Sequence, residues 1–205
     1  MVNPKEIPAQ VQLIRDFMAA NGISDRPIDV NEYQGPGENL MLSPGNTISF
    51  LSSLESTDIR YAIRACWNED AAQTDGTTNG LFPGRLDNIM TMAPFQPRAQ
   101  WHVYRSYADM SGSMAPVERG GFLSGLASVN AADGKAHILL GNDGTQAFTT
   151  NVTIQNLSQL ANYSTTGKVR VRVREIPYPA STRSQRPLKS PMPSSHPGEI
   201  KSCFH

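Results

Sequence analysis

In Arg26-Pro27-Ile28-Asp29-Val30-Asn31-Glu32-Tyr33, followed by Gln34-Gly35-Pro36-Gly37, the chain writes a short strand and then stops it. Pro27 can stand at the first residue of a strand. Ile28 and Val30 are β-branched and suit a pleated surface. The segment closes on a carboxylate and an aromatic, just before a Gly/Pro turn. Outward from it the pattern is helical on both sides. Residues 6–20 place Ile7, Val11, Ile14 and Met18 on one stripe, with Leu13 and Phe17 beside it. Pro8 fits the first turn, and Asn21-Gly22 is a helix stop. After a Gly/Pro-rich loop, residues 47–57 read as a second helix with Ile48, Leu51 and Leu54 inward. Residues 59–67, Ile59 to Trp67, read as a longer and more apolar strand. Helix, strand, helix and strand with short connections predict βα repetition and a parallel sheet.

A carboxylate at the carboxyl end of such a strand stands where a parallel α/β barrel presents its active face. It also reads as a solvated strand-end residue. The polar loop 68–82 leaves the second strand at the same end as Glu32. Residues 86–92 suggest a short helix and 99–110 another, its Trp101, Tyr104 and Tyr107 at core-packing spacing.

After Gly112 the pattern becomes antiparallel. Residues 122–130, 136–140, 147–155 and 168–176 are strand candidates. Ala132-Asp133-Gly134 and Asn142-Asp143-Gly144 supply hairpin signals between them. Val169, Val171 and Val173 alternate with Arg170, Arg172 and Arg174, as in a half-buried strand with a basic outer face. The arginines read as a solvated face or a nucleic-acid surface. No phosphate loop, metal-ligand cluster or RNA-binding aromatic motif accompanies them. From residue 179 the sequence is Pro-, Ser- and Arg-rich, a composition expected to be disordered.

The totals constrain partners. There are 18 basic and 18 acidic residues, but eight basic and two acidic ones follow from Lys168 onward, so that end is net +6 and the rest net −6. A balanced chain is not built as a whole for nucleic acid or anionic membrane. No apolar run reaches the roughly 18 residues of a membrane span. Two cysteines make no framework: Cys66 reads as a small buried hydrophobe and Cys203 lies in the tail. Three N-glycosylation sequons, at Asn151, Asn156 and Asn162, are used only on a secreted chain. No basic-then-apolar signal pattern opens the sequence, so localisation stays open.

The run from Asp29-Val30-Asn31-Glu32-Tyr33 to Arg64-Ala65-Cys66-Trp67 resembles the C-terminal part of glycoside hydrolases of the family thirty-nine type, particularly their fungal relatives. Gln100-Trp101-His102-Val103-Tyr104-Arg105-Ser106-Tyr107-Ala108-Asp109-Met110-Ser111-Gly112 and Leu139-Leu140-Gly141-Asn142 extend the likeness over about Glu6 to Ile176. The resemblance implies an α/β plus all-β chain. Residues 1–111 would form the last βα units of a (β/α)8 barrel, 112–178 an antiparallel β-sandwich, and 179–205 a disordered tail. It implies a retaining glycosidase with Glu32, at the end of the seventh strand, as nucleophile. Tyr33, Trp67, Asn68 and Glu69 would face or support the sugar, and Asp70 stands next to them. Trp67 reads equally as core. No cofactor and no metal are implied; the partner is a carbohydrate, with no nucleic acid. The acid/base glutamate would stand on the fourth strand, ahead of Met1. Glu38, Glu55, Glu69 and Asp70 do not match its motif. The chain is therefore expected to be a fragment, inactive alone, or a non-catalytic carbohydrate-binding or interaction protein derived from a glycosidase.

Overall fold

The structure, a computed structural model, describes residues 3–33, 43–64, 81, 97–118, 121–144, 148–160, 163, 166–176, 178 and 200–204. A 3₁₀ turn, Pro4–Glu6, is capped by the Asn3 side chain, which accepts from the Lys5 N–H at 3.1 Å. It runs into α1 (Ile7–Ala20). That helix ends as expected. Gly22 takes φ +65°, the Ile23 N–H reaches Met18 O at 2.9 Å, and the Gly22 N–H reaches Ala19 O at 3.2 Å. This is a Schellman stop, which favours glycine at the left-handed position.

β1 (Asp29–Tyr33) leads through undescribed residues to α2 (Pro44–Glu55), and α2 leads to β2 (Tyr61–Arg64). β1 and β2 pair in parallel. The strand–helix–strand grammar is thus present as a βαβ unit. α2 starts three residues earlier than its apolar periodicity predicts. Ser43 caps it, its hydroxyl accepting from the Asn46 N–H at 3.4 Å, with Pro44 opening the first turn.

α2 is the axis of the molecule, and Pro44 through Ser53 are all buried. One flank gives Phe50 and Leu54 to a cluster with Ile7, Val11, Ile28, Val30, Tyr33 and Ile59. The other gives Ile48 and Leu51 to a cluster with Val103, Leu126, Leu139 and Ile176. A helix buried all round need not be apolar all round if its polar residues are small. Ser49, Ser52 and Ser53 let neighbouring backbones close in, and the Ser52 hydroxyl donates to Gly125 O at 2.7 Å.

α3 (Ala99–Ala108) supplies Val103, fully buried, and packs Tyr104 and Tyr107 into the second cluster, so its aromatic spacing is core packing at those two positions. β3 (Ser113–Ala115), β4 (Leu123–Asn130) and β5 (Lys135–Asn142) form an antiparallel sheet in that order. The β4–β5 turn falls at the expected Asp133-Gly134: Gly134 has φ +61°, and the Asn130 side chain accepts from the Asp133 N–H at 3.1 Å. The first turn of α2 lies on the end of β5. A Cβ on Gly45 would stand 1.7 Å from Asn142 O, and one on Gly141 would stand 2.8 Å from Ile48 Cβ. Lys5 closes the same corner, its ammonium 3.0 Å from Asp143 Oδ2 and 3.0 Å from Gly121 O.

Several expectations change. Beyond Val11 the stripe of α1 is only partly kept: Met18 is half-buried, but Leu13 is 69%, Ile14 45% and Phe17 60% exposed. The next inward position is Arg15, which donates to Asp25, to Asp58 at 2.5 Å and to Arg26 O at 2.5 Å, so a polar anchor replaces apolar packing there. Asn142-Asp143-Gly144 is an Asx turn, with the Gly144 N–H on Asn142 Oδ1 at 2.8 Å, but it does not join β5 to its successor as a hairpin. β6 (Phe148–Val152) pairs instead with β7 (Ile200–Phe204). Composition places those last residues in the tail expected to be disordered. Their alternation, Ile-Lys-Ser-Cys-Phe, resumes after the Pro/Ser run ends. Residues 168–176 form no ladder among the described residues, and Val169 and Val173 are exposed.

Candidate functional site at the carboxyl end of the parallel pair

The register of β1 on β2 is interrupted. Val30 pairs with Ala62 and Tyr33 with Arg64, so β1 spends three steps where β2 spends two, and Asn31 and Glu32 stand together opposite Ile63. Such a bulge re-aims side chains at the end of a strand. Val30 and Tyr33 both pack toward the helices despite an odd separation, and Glu32 is released to the exposed face. Among the described residues the Glu32 side chain makes no hydrogen bond or ion pair. Tyr61 (65% exposed) and Ile63 (55% exposed) lie uncovered on β2. A parallel pair is ordinarily covered on both faces; among the described residues α1 and α2 cover one.

Behind Glu32 the strand ends are fixed from the helix side. The Tyr33 ring packs on Phe50 with centroids 5.2 Å apart, and its hydroxyl lies 2.9 Å from that of Tyr104. Arg64 Nη2 donates to Gln100 Oε1 at 2.9 Å. Gln100 is 1% exposed, and its Nε2 has no hydrogen-bond partner among the described residues. Tyr107 donates to Glu55 Oε1. Burial pushes the Tyr33 phenol up, opposed by its bond to Tyr104 and by the positive charge of Arg64. Tyr104 is pushed up strongly, first by burial and then by Tyr33. Tyr107 is pushed up by burial and by Glu55. Ordinary pH therefore finds all three neutral, suited to hold hydrogen bonds rather than to exchange protons.

Of the sequence-derived site residues, Glu32 and Tyr33 lie at this strand end on opposite faces. Tyr33 faces the core with its hydroxyl engaged. Trp67, Asn68, Glu69 and Asp70, like Glu38, lie outside the described residues. Glu55 closes α2 against Tyr107. The nearest carboxylate along β1 is Asp29. It is held below the usual carboxylate range by hydrogen bonds from Arg60, Nη2 at 2.6 Å and Nε at 3.1 Å. A carboxylate held ionised in this way is poorly suited to be a general acid, which needs a raised pKa. The Tyr33–Tyr104 and Arg64–Gln100 links were not foreseen. The only sequence signal was the placing of Gln100, Tyr104 and Tyr107 on one helix. Among the described residues no group of His, Cys, Asp and Glu could hold a metal ion, and no helix is long and apolar enough to cross a membrane. An open cleft of about 640 Å³ lies along α1, lined by Val11, Arg15, Met18, Ile23, Asp25 and Asp58 among others. It includes neither Glu32 nor Tyr33.

Comparison with family models finds no match, and no curated protein matches the sequence.

Proposed function

We propose that this chain carries the nucleophile half of a retaining glycosidase, with Glu32 as the nucleophile and the acid/base supplied from outside the described residues. One observation carries the reading. A bulge at the carboxyl end of β1 turns Glu32 away from the helix layer, while Tyr33 is locked behind it. In an α/β barrel that end is where catalytic residues stand. Retaining hydrolysis uses two carboxyl groups about 5–5.5 Å apart, one to attack the anomeric carbon and one to protonate the leaving oxygen and then activate water. An exposed carboxylate with no competing ion pair among the described residues is suited to the first role. Residues 1–111 are, in this reading, the last βα units of a (β/α)8 barrel, and the antiparallel strands after Gly112 belong to a trailing β-sandwich. Turnover needs that second carboxyl group, so residues 1–205 expressed alone are inactive, and the test is made on the protein as its own cells assemble it.

The second reading is a non-catalytic carbohydrate-binding protein derived from such an enzyme. It is favoured by the absence, among the described residues, of a carboxyl group suited to pair with Glu32. Hydrolysis of aryl xylosides, arabinosides and glucosides by protein isolated from its own cells separates the two, alongside retention on immobilised xylan and arabinan. Product release abolished by Glu32→Gln supports the glycosidase. Retention without product release supports binding. Neither retention nor release overturns both.

A further inference from the structure

The sequon Asn156-Leu157-Ser158 stands in an unusual local structure. Asn156 is the one non-glycine with positive φ among the described residues, at φ 59° and ψ 29°. Asparagine tolerates that region because its side chain is short. It follows the end of β6 and opens a 3₁₀ turn, Leu157–Gln159, closed by the Leu160 N–H on Leu157 O at 3.0 Å. Leu160, which closes the turn, is 9% exposed. Asn156 and Ser158 are both exposed, and the Asn156 side chain caps nothing. The approach to this corner is polar as well: Asn151, Thr153 and Gln155 are exposed, while Val152 and Ile154 between them are half-buried.

These features suit an acceptor amide. Transfer of an oligosaccharide requires the amide nitrogen to be free and the hydroxyl two residues on to come near it. A 3₁₀ turn rises only about 2.0 Å per residue, so it sets residues two apart closer than a strand does. Asn151 also heads a sequon, but it lies in a paired strand opposite Lys201. Within a strand, residues two apart are spaced by about 6.4–6.8 Å, and Thr153, the third residue of that sequon, stands just past the end of β6. A glycan is bulky and hydrophilic and must remain in solvent once the chain has folded, as it would at Asn156.

We propose that Asn156 is an N-glycosylation site. In the transfer, Asn156 Nδ2 attacks the anomeric carbon of an oligosaccharide carried on a lipid pyrophosphate. A C–N bond forms and the C–O bond to the pyrophosphate breaks. The lipid pyrophosphate leaves with the electron pair, and the proton from the amide nitrogen passes to a base of the transferase. Nothing is oxidised or reduced. The test is peptide mass spectrometry on protein isolated from its own cells, before and after a peptide N-glycosidase, which releases the glycan and leaves aspartate. The expected result is a glycan-bearing peptide that reads Asp at position 156 after treatment. Asn156→Gln and Ser158→Ala, expressed in the same cells, each lose the mass of one glycan. Ser158→Ala keeps Asn156 and its turn, so its loss reports the sequon and not the fold. An unmodified Asn156 peptide, or a Ser158→Ala protein that keeps its full glycan mass, overturns the proposal.

Discussion

The hydroxyls of Tyr33 and Tyr104 lie 2.9 Å apart, joining the last residue of β1 to the middle of α3. Both phenols are pushed above their ordinary value by burial. An unfolded tyrosine ionises near pH 10, so the stability each contributes is intact below about pH 10. As pH rises further, the unfolded chain loses protons that the folded chain keeps, and stability falls. Each tyrosine held neutral contributes a slope of about 1.4 kcal/mol per pH unit. Urea unfolding from about pH 9 to about pH 12 should show this decline, and Tyr33→Phe or Tyr104→Phe should each flatten it. An unchanged slope in both variants contradicts the burial of these two phenols.

Gly45 and Asn142 set how closely α2 approaches the antiparallel sheet. A methyl at Gly45 meets Asn142 O at 1.7 Å, and the obstacle is backbone that cannot rotate away. Gly45→Ala, although favourable for an isolated helix, should cost about 1–3 kcal/mol or more through overpacking. Thermal unfolding checks the sign: a stabilised Gly45→Ala would mean that α2 and β5 are further apart than described.

Ser52 is 3% exposed and its hydroxyl donates to Gly125 O at 2.7 Å. Ser52→Ala removes the donor and should cost about 1–3 kcal/mol. Ser49, fully buried, has no hydrogen-bond partner for its hydroxyl among the described residues. Ser49→Ala should therefore be neutral or stabilising. Chemical denaturation of the two variants side by side reads the difference, and equal effects would contradict the assignment.

Glu32 is exposed and makes no bond among the described residues, so Glu32→Gln should change stability by less than about 0.5 kcal/mol. A larger loss would place Glu32 in a structural role and count against its being held free for chemistry.

The βαβ unit was legible because its signals were local: Pro27 before β-branched residues, Gly22 at the helix stop, apolar periodicity in both helices. The Asp133-Gly134 turn was legible for the same reason. The start of α2 was read too late because Ser43-Pro44 looks like loop until it is recognised as a cap and first turn. The burial of Ser49, Ser52 and Ser53 could not be read from polarity. It follows from how closely the backbones of α2 and β4 approach, and sequence periodicity does not encode that distance. β3 is only three residues long and pairs through its backbone. At the site, Glu32 was legible as a strand-end carboxylate. The bulge that sets it opposite to Tyr33 was not, since a register slip leaves no mark in composition.

The most direct test of Glu32 as a nucleophile is covalent trapping. Protein isolated from its own cells would be incubated with a panel of 2-deoxy-2-fluoro glycosides carrying good leaving groups, and the adduct mapped by peptide mass spectrometry. The account predicts a glycosyl ester on the peptide containing Glu32, absent in Glu32→Gln. An adduct on a different carboxylate, or no adduct with any glycoside of the panel, contradicts it.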